Sequence, residues 1–572
     1  MPKSQNYVQE VERGRLTTGL PSAIFLAGFN FYNMMQNMLT PLRVVIAVEI
    51  LGTMGIIFGF LPREAALFLL GIFAYFALFA SRKDAILFTV FSIPLFTALP
   101  ITDGFDTMVG WRIIILILFL RAVLKSSGGL FSRLILGRPA AASEARANLV
   151  AFGDTMPNQP SNPPREQSPR TLFLRLEVLL GLFFAVSALS LFIAQEPSFG
   201  IRKVLFLINI FALFFVIQLA IKSKQDWLDI FKYTFAGGLV SLTVGYAQLV
   251  SVFFVVLHNF WMWWVGHVIP VFYGMQLTNL LSYANTWFSY YENAEPTLRV
   301  FSIFPDSHSF ALAMVLLLSM ALTYYFVKKQ TKKSTAFPEI VIILALLAII
   351  FSGTRGIWVG AIPVLVVLAA AFFTRNFPQN LRQFSKMGLI ILFVFAVLFP
   401  VASQIQKISQ WSQGGQVSDT TTFSRISTSF RIGELSNKGR IQIWKSTIES
   451  IIKRPLLGVG IGNYPVVLSE NVSATKKGAS AHSLYLDFIA EIGIFGGIVV
   501  LLIFLEILRQ ALKIFSAGRD LFFTAFAGFF AIFLLWVMAY SIVDVVLLND
   551  KVLLFFVSLV GLLYVIPKTD NV

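Results

Sequence analysis

The sequence contains no cysteine and only four histidines, and its 29 acidic residues are outnumbered by 45 lysines and arginines, for a formal net charge of +16. Without cysteine there can be no disulfide, thiolate metal site or cysteine nucleophile, although this does not identify the compartment. Charge of either sign is scarce: 13% of the 572 residues are charged and 57% are hydrophobic, including 59 phenylalanines. Such a chain is too apolar to stay dispersed as a soluble domain and reads as a polytopic membrane protein. A short cleavable apolar leader is also missing, because Met1 to Thr40 is polar or mildly apolar and strong hydrophobicity begins near Arg43. Insertion is therefore assigned to internal helices.

Apolar runs long enough for helices occur near 43–62, 64–80, 85–101, 110–124, 171–194, 201–221, 229–257, 308–327, 339–353, 356–373, 387–402, 482–508, 521–543 and 551–567. The expected fold class is an all-α polytopic membrane protein with about 14 transmembrane helices. With a cytoplasmic N-terminus, short inside loops hold Arg82, Lys83, Lys222, Lys224, Lys328, Lys329, Arg375, Arg382, Arg509 and Lys513, whereas short outside connections hold chiefly Arg63, Arg202, Lys203, Arg355 and Lys551. The positive-inside bias selects that orientation and places both termini inside.

The organisation expected is a cytoplasmic segment 1–42, N-terminal transmembrane helices over 43–124, a linker 125–170, central helices over 171–402, a large external loop 403–481, C-terminal helices over 482–567 and a cytoplasmic tail 568–572. The linker, rich in Pro, Ser, Asn and Gln, reads as disordered. Within the central region, an external connection at 258–307 opens with "HNFWMWWVGHVIPVFYG", whose Trp and Tyr suit a membrane interface or, alternatively, stacking on sugar rings. The 403–481 loop carries ten Lys or Arg against four Asp or Glu, which suggests an anionic ligand. No nucleic acid is expected as a partner. A helix is predicted from about Gly439 to Lys453, before Pro455. The following "GVGIGNYP" lacks the GK[ST] ending and preceding strand of a phosphate loop, so a nucleotide fold is rejected.

This topology puts Arg202, Arg299, Arg355 and Arg440 on the same side as His482, which stands at the mouth of an apolar helix. Each arginine alone is compatible with an interfacial snorkel or a salt bridge. Together they face few external acids, and a guanidinium fork meets phosphate oxygens bidentately. Arg355 lies in a hairpin between short helices and should be slightly sunk, where an unpaired charge costs about 2.5–3.5 kcal/mol. A lipid-linked diphosphate is the natural external anion for such a set.

"GRIQIWKSTIESIIKRPLLGVGIGNYP" followed by "AHSLYLDFIAEIGIFGG" resembles the C-terminal signature of the bacterial O-antigen ligase and polymerase superfamily, and "FSGTRGIWVG" resembles that family's Ser-Arg-Gly hairpin. The resemblance spans about Arg202 to Leu508 and is most specific between Arg440 and Gly493. Thr354 stands where serine is common, and "FPDSHSFA" replaces an Asn-Pro-Asn-like stretch, so Asp306 and His308 receive no role from it.

The resemblance implies a GT-C-like, metal-independent glycosyltransferase without a cofactor. Its donor would be an undecaprenyl-diphosphate-linked glycan and its acceptor a lipid A core for a ligase, or another lipid-linked repeat for a polymerase, in contact with membrane lipids. It gives Arg202, Arg299, Arg355 and Arg440 to the diphosphate and makes His482 the base at the acceptor hydroxyl. Preorganised arginines would stabilise charge on the leaving diphosphate. Asp487 and Glu491 lie too far along one straight helix to serve His482, and Gly493, Gly496 and Gly497 read as close-packing positions. A lipid-linked glycan transporter is the competing class; it predicts internal repeats and midplane charges, neither of which is evident. A purely structural subunit would leave the arginine and histidine set unexplained.

Overall fold

The structure, a computed structural model, describes residues 40–102, 106–124, 175–282, 287–291, 294–374, 378–414, 417, 435–469 and 480–565. The linker at 125–170, nearly all of the 1–42 segment, much of the 403–481 loop and the 568–572 tail lie outside the described residues.

Long apolar segments become helices because a helix satisfies every backbone N–H and C=O internally, as hydrocarbon requires. The chain opens with α1 (Pro41–Ile57), α2 (Ala65–Phe79), α3 (Arg82–Ser92) and α4 (Trp111–Leu124). There follow α5 (Leu176–Ser190), α6 (Pro197–Ala220), α7 (Lys224–Ser251), α8 (Leu257–Trp263) and α9 (Ile269–Ser282). The C-terminal half contains α10 (Ser307–Gln330), α11 (Ala336–Phe351), α12 (Arg355–Phe373), α13 (Gln379–Ser412), α14 (Leu435–Lys453), α15 (Leu484–Ala517), α16 (Leu521–Tyr540) and α17 (Asp550–Tyr564). Two small antiparallel hairpins pair β1 (Ala98–Leu99) with β2 (Met108–Val109), and β3 (Phe288–Tyr291) with β4 (Ala294–Leu298).

Among the described residues, seven helical segments are long and apolar enough to cross a membrane: Leu176–Ile193, Pro197–Ala220, Ser307–Gln330, Arg355–Phe373, Gln379–Ser412, Leu484–Ala517 and Leu521–Tyr540. The protein is therefore a helical membrane protein, but length and composition support seven crossings and do not establish about fourteen. The predicted crossing 85–101 illustrates the difference: α3 stops at Ser92, just before Pro94, and the chain turns into β1.

The centre of the bundle is α10. It is apolar on nearly every side, and 17 of its 24 residues are buried, the pattern of a helix enclosed by others. Helices α11 and α16 flank it. Helix α13 runs ten residues past the expected boundary at 402, because its polar end finds backbone partners: Gln410 Nε2 donates to Glu295 O at 2.6 Å and Gln413 Nε2 to Val252 O at 2.6 Å. The Gly439–Lys453 helix is present and begins slightly earlier, at Leu435.

Charges mark the two ends of the bundle. At one end Lys83 pairs with Asp226 and Asp229, and Lys224 with Asp520. The N-terminus of α15, and with it His482, lies at the other, because Asp520 follows the C-terminus of that helix.

Candidate functional site

His482 is built into a strained turn. Its φ is 48°, one of four positive values at non-glycine positions among the described residues. Such a backbone costs of order 1–3 kcal/mol and persists only where its surroundings hold it. Three contacts do so here. Trp444 Nε1 donates to Ala481 O at 2.9 Å, Ala481 N donates to Asp487 Oδ1 at 3.0 Å, and Leu484 N donates to Ser541 O at 2.9 Å. Ser483 caps α15. The Arg-x-x-x-Trp motif thus acquires a physical reading: Trp444 grips the carbonyl preceding His482, and Arg440 sits one turn away on α14.

Asp487 was expected to lie too far along a straight helix to serve His482; its carboxylate meets the amide of residue 481 instead, because the backbone turns back at 480–483. Neither is α15 straight. It breaks at Ile492 and Gly493, where Gly493 has φ 78° and ψ 173°, and a side chain there would overlap the Leu456 carbonyl. The "PLLGVGIG" loop clasps this break: Val459 N donates to Ala490 O at 2.9 Å, Gly460 N to Glu491 O at 2.9 Å, and Ile494 N to Pro455 O at 2.8 Å. The loop also carries α6, since Asn463 Nδ2 donates to Glu196 O at 3.2 Å while Asn463 Oδ1 accepts from Glu196 N at 2.8 Å. Its glycines serve packing, in keeping with the rejection of a nucleotide fold.

Arg299 reaches the α11–α12 hairpin that carries Arg355. Arg299 Nε donates to Ser352 O at 2.8 Å, and its guanidinium lies 3.4 Å from Thr354 Oγ1. Gly353, at φ 62°, leaves room for that guanidinium, because a Cβ would stand 3.0 Å from Arg299 Nε. Ser352 and Thr354 are buried within the protein. Arg355 is the first residue of α12 and half-buried. The next residue, Gly356, packs against the Tyr540 ring, where a Cβ would lie 3.1 Å away.

Tyr540 leads to residues that carry no role in the motif pattern. Its hydroxyl donates to Asp544 Oδ2 at 2.8 Å, and the same oxygen lies 2.6 Å from His308 Nδ1. His308 is the second residue of α10, directly behind the Asp306 cap, whose Oδ1 accepts from Ser309 N at 2.7 Å. Burial pushes the Asp544 carboxyl up, but His308 and the Tyr540 hydrogen bond outweigh it and hold the group well below the usual carboxylate range. Burial pushes His482 below its ordinary value. Arg440 and His308 add to that shift, while Asp544 and Asp487 oppose it. His482 is therefore neutral near neutral pH, for a reason larger than the expected arginine repulsion.

Arg202 is exposed and lies over the Phe199 ring at 5.5 Å. The cation that reaches the helix of His482 from α6 is its neighbour Lys203, whose Nζ lies 2.6 Å from Glu491 Oε2 and 3.6 Å from Asp487 Oδ2. Sequence reasoning missed Lys203, His308, Tyr540 and Asp544. A signal existed for Asp544 and His308, since an ionisable residue inside or beside an apolar span is costly and usually partnered.

Comparison with known proteins adds two findings. An "Uncharacterized protein" of Haemophilus influenzae is 26% identical over 193 residues, which is 33% of this chain and 46% of that relative, so the match spans less than half of the relative's length. The sequence profile described as "O-Antigen ligase" matches residues 340–501, a stretch that runs from α11 through the Arg355 hairpin, the Trp444 helix and the glycine loop to the first half of α15. Over that stretch the chain is similar to the O-antigen ligase family, in support of the resemblance read from its motifs.

Proposed function

We propose that this protein moves a glycan from an undecaprenyl-diphosphate-linked donor to an acceptor hydroxyl at the outer face of the cytoplasmic membrane, as an O-antigen ligase does, with both termini cytoplasmic. What supports this reading is a chain of contacts: Arg299 bonds the Ser352 carbonyl next to Arg355, Gly356 packs on Tyr540, and Asp544, the partner of Tyr540, acts with Arg440 on the strained His482 turn. The apolar helices and the match to the O-antigen ligase family support a glycan-transfer enzyme of the membrane; the donor, acceptor and residue roles are the proposal.

In this reading Arg299, Arg355 and Arg440 bind the diphosphate, and Arg202 meets it from its exposed position on α6 as the donor enters. His482, neutral at working pH, takes the acceptor hydroxyl proton. The acceptor oxygen attacks the anomeric carbon as the bond to the diphosphate breaks, and the arginines stabilise the charge that develops on the leaving group. With no covalent intermediate, the transfer inverts the anomeric carbon.

Donor binding to purified Arg355→Ala and Arg440→Ala proteins tests the assignment. A hydrogen bond to a charged group contributes about 1.5–3 kcal/mol, so each variant should lose roughly tenfold to a hundredfold in donor affinity. Lysine should rescue only in part, since it lacks the planar fork. Undiminished donor binding in both alanine variants overturns the reading. Deletion of the gene in its host separates the acceptors: a ligase loses the glycan ladder on lipid A, and a polymerase stalls at single repeats.

A further inference from the structure

His308, the second residue of α10, and His482, in the turn before α15, are held in different ways. The His482 ring makes no hydrogen bond among the described residues; only the surrounding backbone is tied down. The His308 ring is bound through Nδ1 to Asp544, a carboxylate 5% exposed, which Tyr540 and the Val545 amide also hold, the latter at 2.8 Å. A carboxylate on one ring nitrogen selects the Nδ1–H tautomer of the neutral imidazole and leaves Nε2 as the proton acceptor. Ser541, three residues before Asp544, accepts the Leu484 amide, so the Asp544 turn and the His482 turn are joined by a direct backbone bond.

The groups acting on His482 are Asp544 and His308 from the α16 turn and α10, Arg440 from α14, and Asp487 from its own helix, with Tyr540 and Asp306 behind them. Once His482 takes a proton it is a cation in a half-buried site under the influence of Arg440, where that charge is poorly accommodated. The imidazole backed by Asp544 is the better resting place.

We propose that His308, oriented by Asp544 and Tyr540, receives the proton that His482 removes from the acceptor, an inference that rests on the transferase reading above. The acceptor O–H bond breaks and its proton goes to His482. The oxygen bonds the anomeric carbon while the electron pair of the breaking C–O bond leaves with the diphosphate. The proton then crosses the site to His308 Nε2, where Asp544 neutralises the imidazolium, and it returns to solvent as products depart. His482 is thereby reset for the next acceptor.

The test uses full-length protein in lipid nanodiscs with lipid-linked donor and acceptor, across pH. His308→Gln keeps a donor for Asp544 but cannot carry the proton. It should bind donor normally, keep its KM, and lose roughly tenfold to a hundredfold in kcat, the low part of the range for a positioned proton-transfer group. The acid limb of kcat/KM should move to lower pH in Asp544→Asn, which removes the counter-charge near His482. Wild-type kcat in His308→Gln, while His482→Gln stays inactive, overturns the proposal and leaves the transferase reading standing. Full transfer by both His482→Gln and Arg355→Ala would instead overturn that reading.

Wild-type protein labelled with 15N-histidine supplies a measurement independent of turnover, since it has four rings to resolve. His308 should show an exchange-protected Nδ1 proton that disappears in Asp544→Asn. An Nε2–H tautomer at His308 refutes the proposal even if His308→Gln fails to insert.

Discussion

The Lys203 cluster gives the most direct test of how the site is held. Lys203 Nζ lies 2.6 Å from Glu491 and 3.6 Å from Asp487, whose side chains are only 2% and 5% exposed, while Lys203 itself is 23% exposed. Lys203→Met removes the cation and leaves two carboxylates close together in a low-dielectric setting. Breaking a buried ion pair from one side costs about 3–5 kcal/mol, and the exposure of Lys203 places this case near the lower end, about 3 kcal/mol.

Glu491→Gln alone should cost less, since Asp487 still balances the lysine. The double variant Lys203→Met with Glu491→Gln should recover much of the loss, because only one carboxylate remains unpaired. The assay is denaturant unfolding of the detergent-solubilised protein for the wild type, both single variants and the double variant, closed as a cycle. A coupling energy of 1 kcal/mol or more is expected on the order of magnitude found for contacting residues. Because Asp487 also holds the Ala481 amide, Lys203→Met should depress transfer more than donor binding. A Lys203→Met stability within about 0.5 kcal/mol of wild type, the range of an inconsequential surface change, would refute the argument.

Three other outcomes follow from the geometry. Gly493→Ala must place a side chain at φ 78° and ψ 173° against the Leu456 carbonyl, at a cost of at least about 1–3 kcal/mol for the backbone alone; it should abolish a monodisperse chromatographic peak, whereas Gly71→Ala, which meets open space on α2, should not. Trp444→Phe removes the 2.9 Å bond to Ala481 O and leaves a carbonyl unpaired, a loss of about 1–3 kcal/mol; melting should fall and kcat should drop more than donor affinity. Because burial lowers the His482 value, its base-competent form survives to more acidic pH, so the acid limb of kcat/KM should lie below about 6.5. Arg440→Gln relieves one lowering charge and should move that limb upward, as a pH–rate profile can read.

Much of this protein was legible in its residues because its strongest signals are local. Apolar runs become helices wherever they stand, Pro455 ends α14 near the expected Lys453, and the motifs between Arg440 and Gly493 lie inside the stretch that matches the O-antigen ligase family. Close packing at Gly493 followed from its place in an apolar helix. What could not be read there depends on where chain segments distant in sequence come together. Asp544 and His308 are 236 positions apart, and only the packing of α16 beside the buried α10 makes them a pair. Lys203 and Arg202 are neighbours of similar chemistry, and the rotation of α6 against α15 turned the first toward two carboxylates and the second outward. Hydrophobicity and backbone hydrogen bonding act along the chain and settle the elements; ion pairs and imidazole tautomers act through space at 3–4 Å and exist only once those elements are packed.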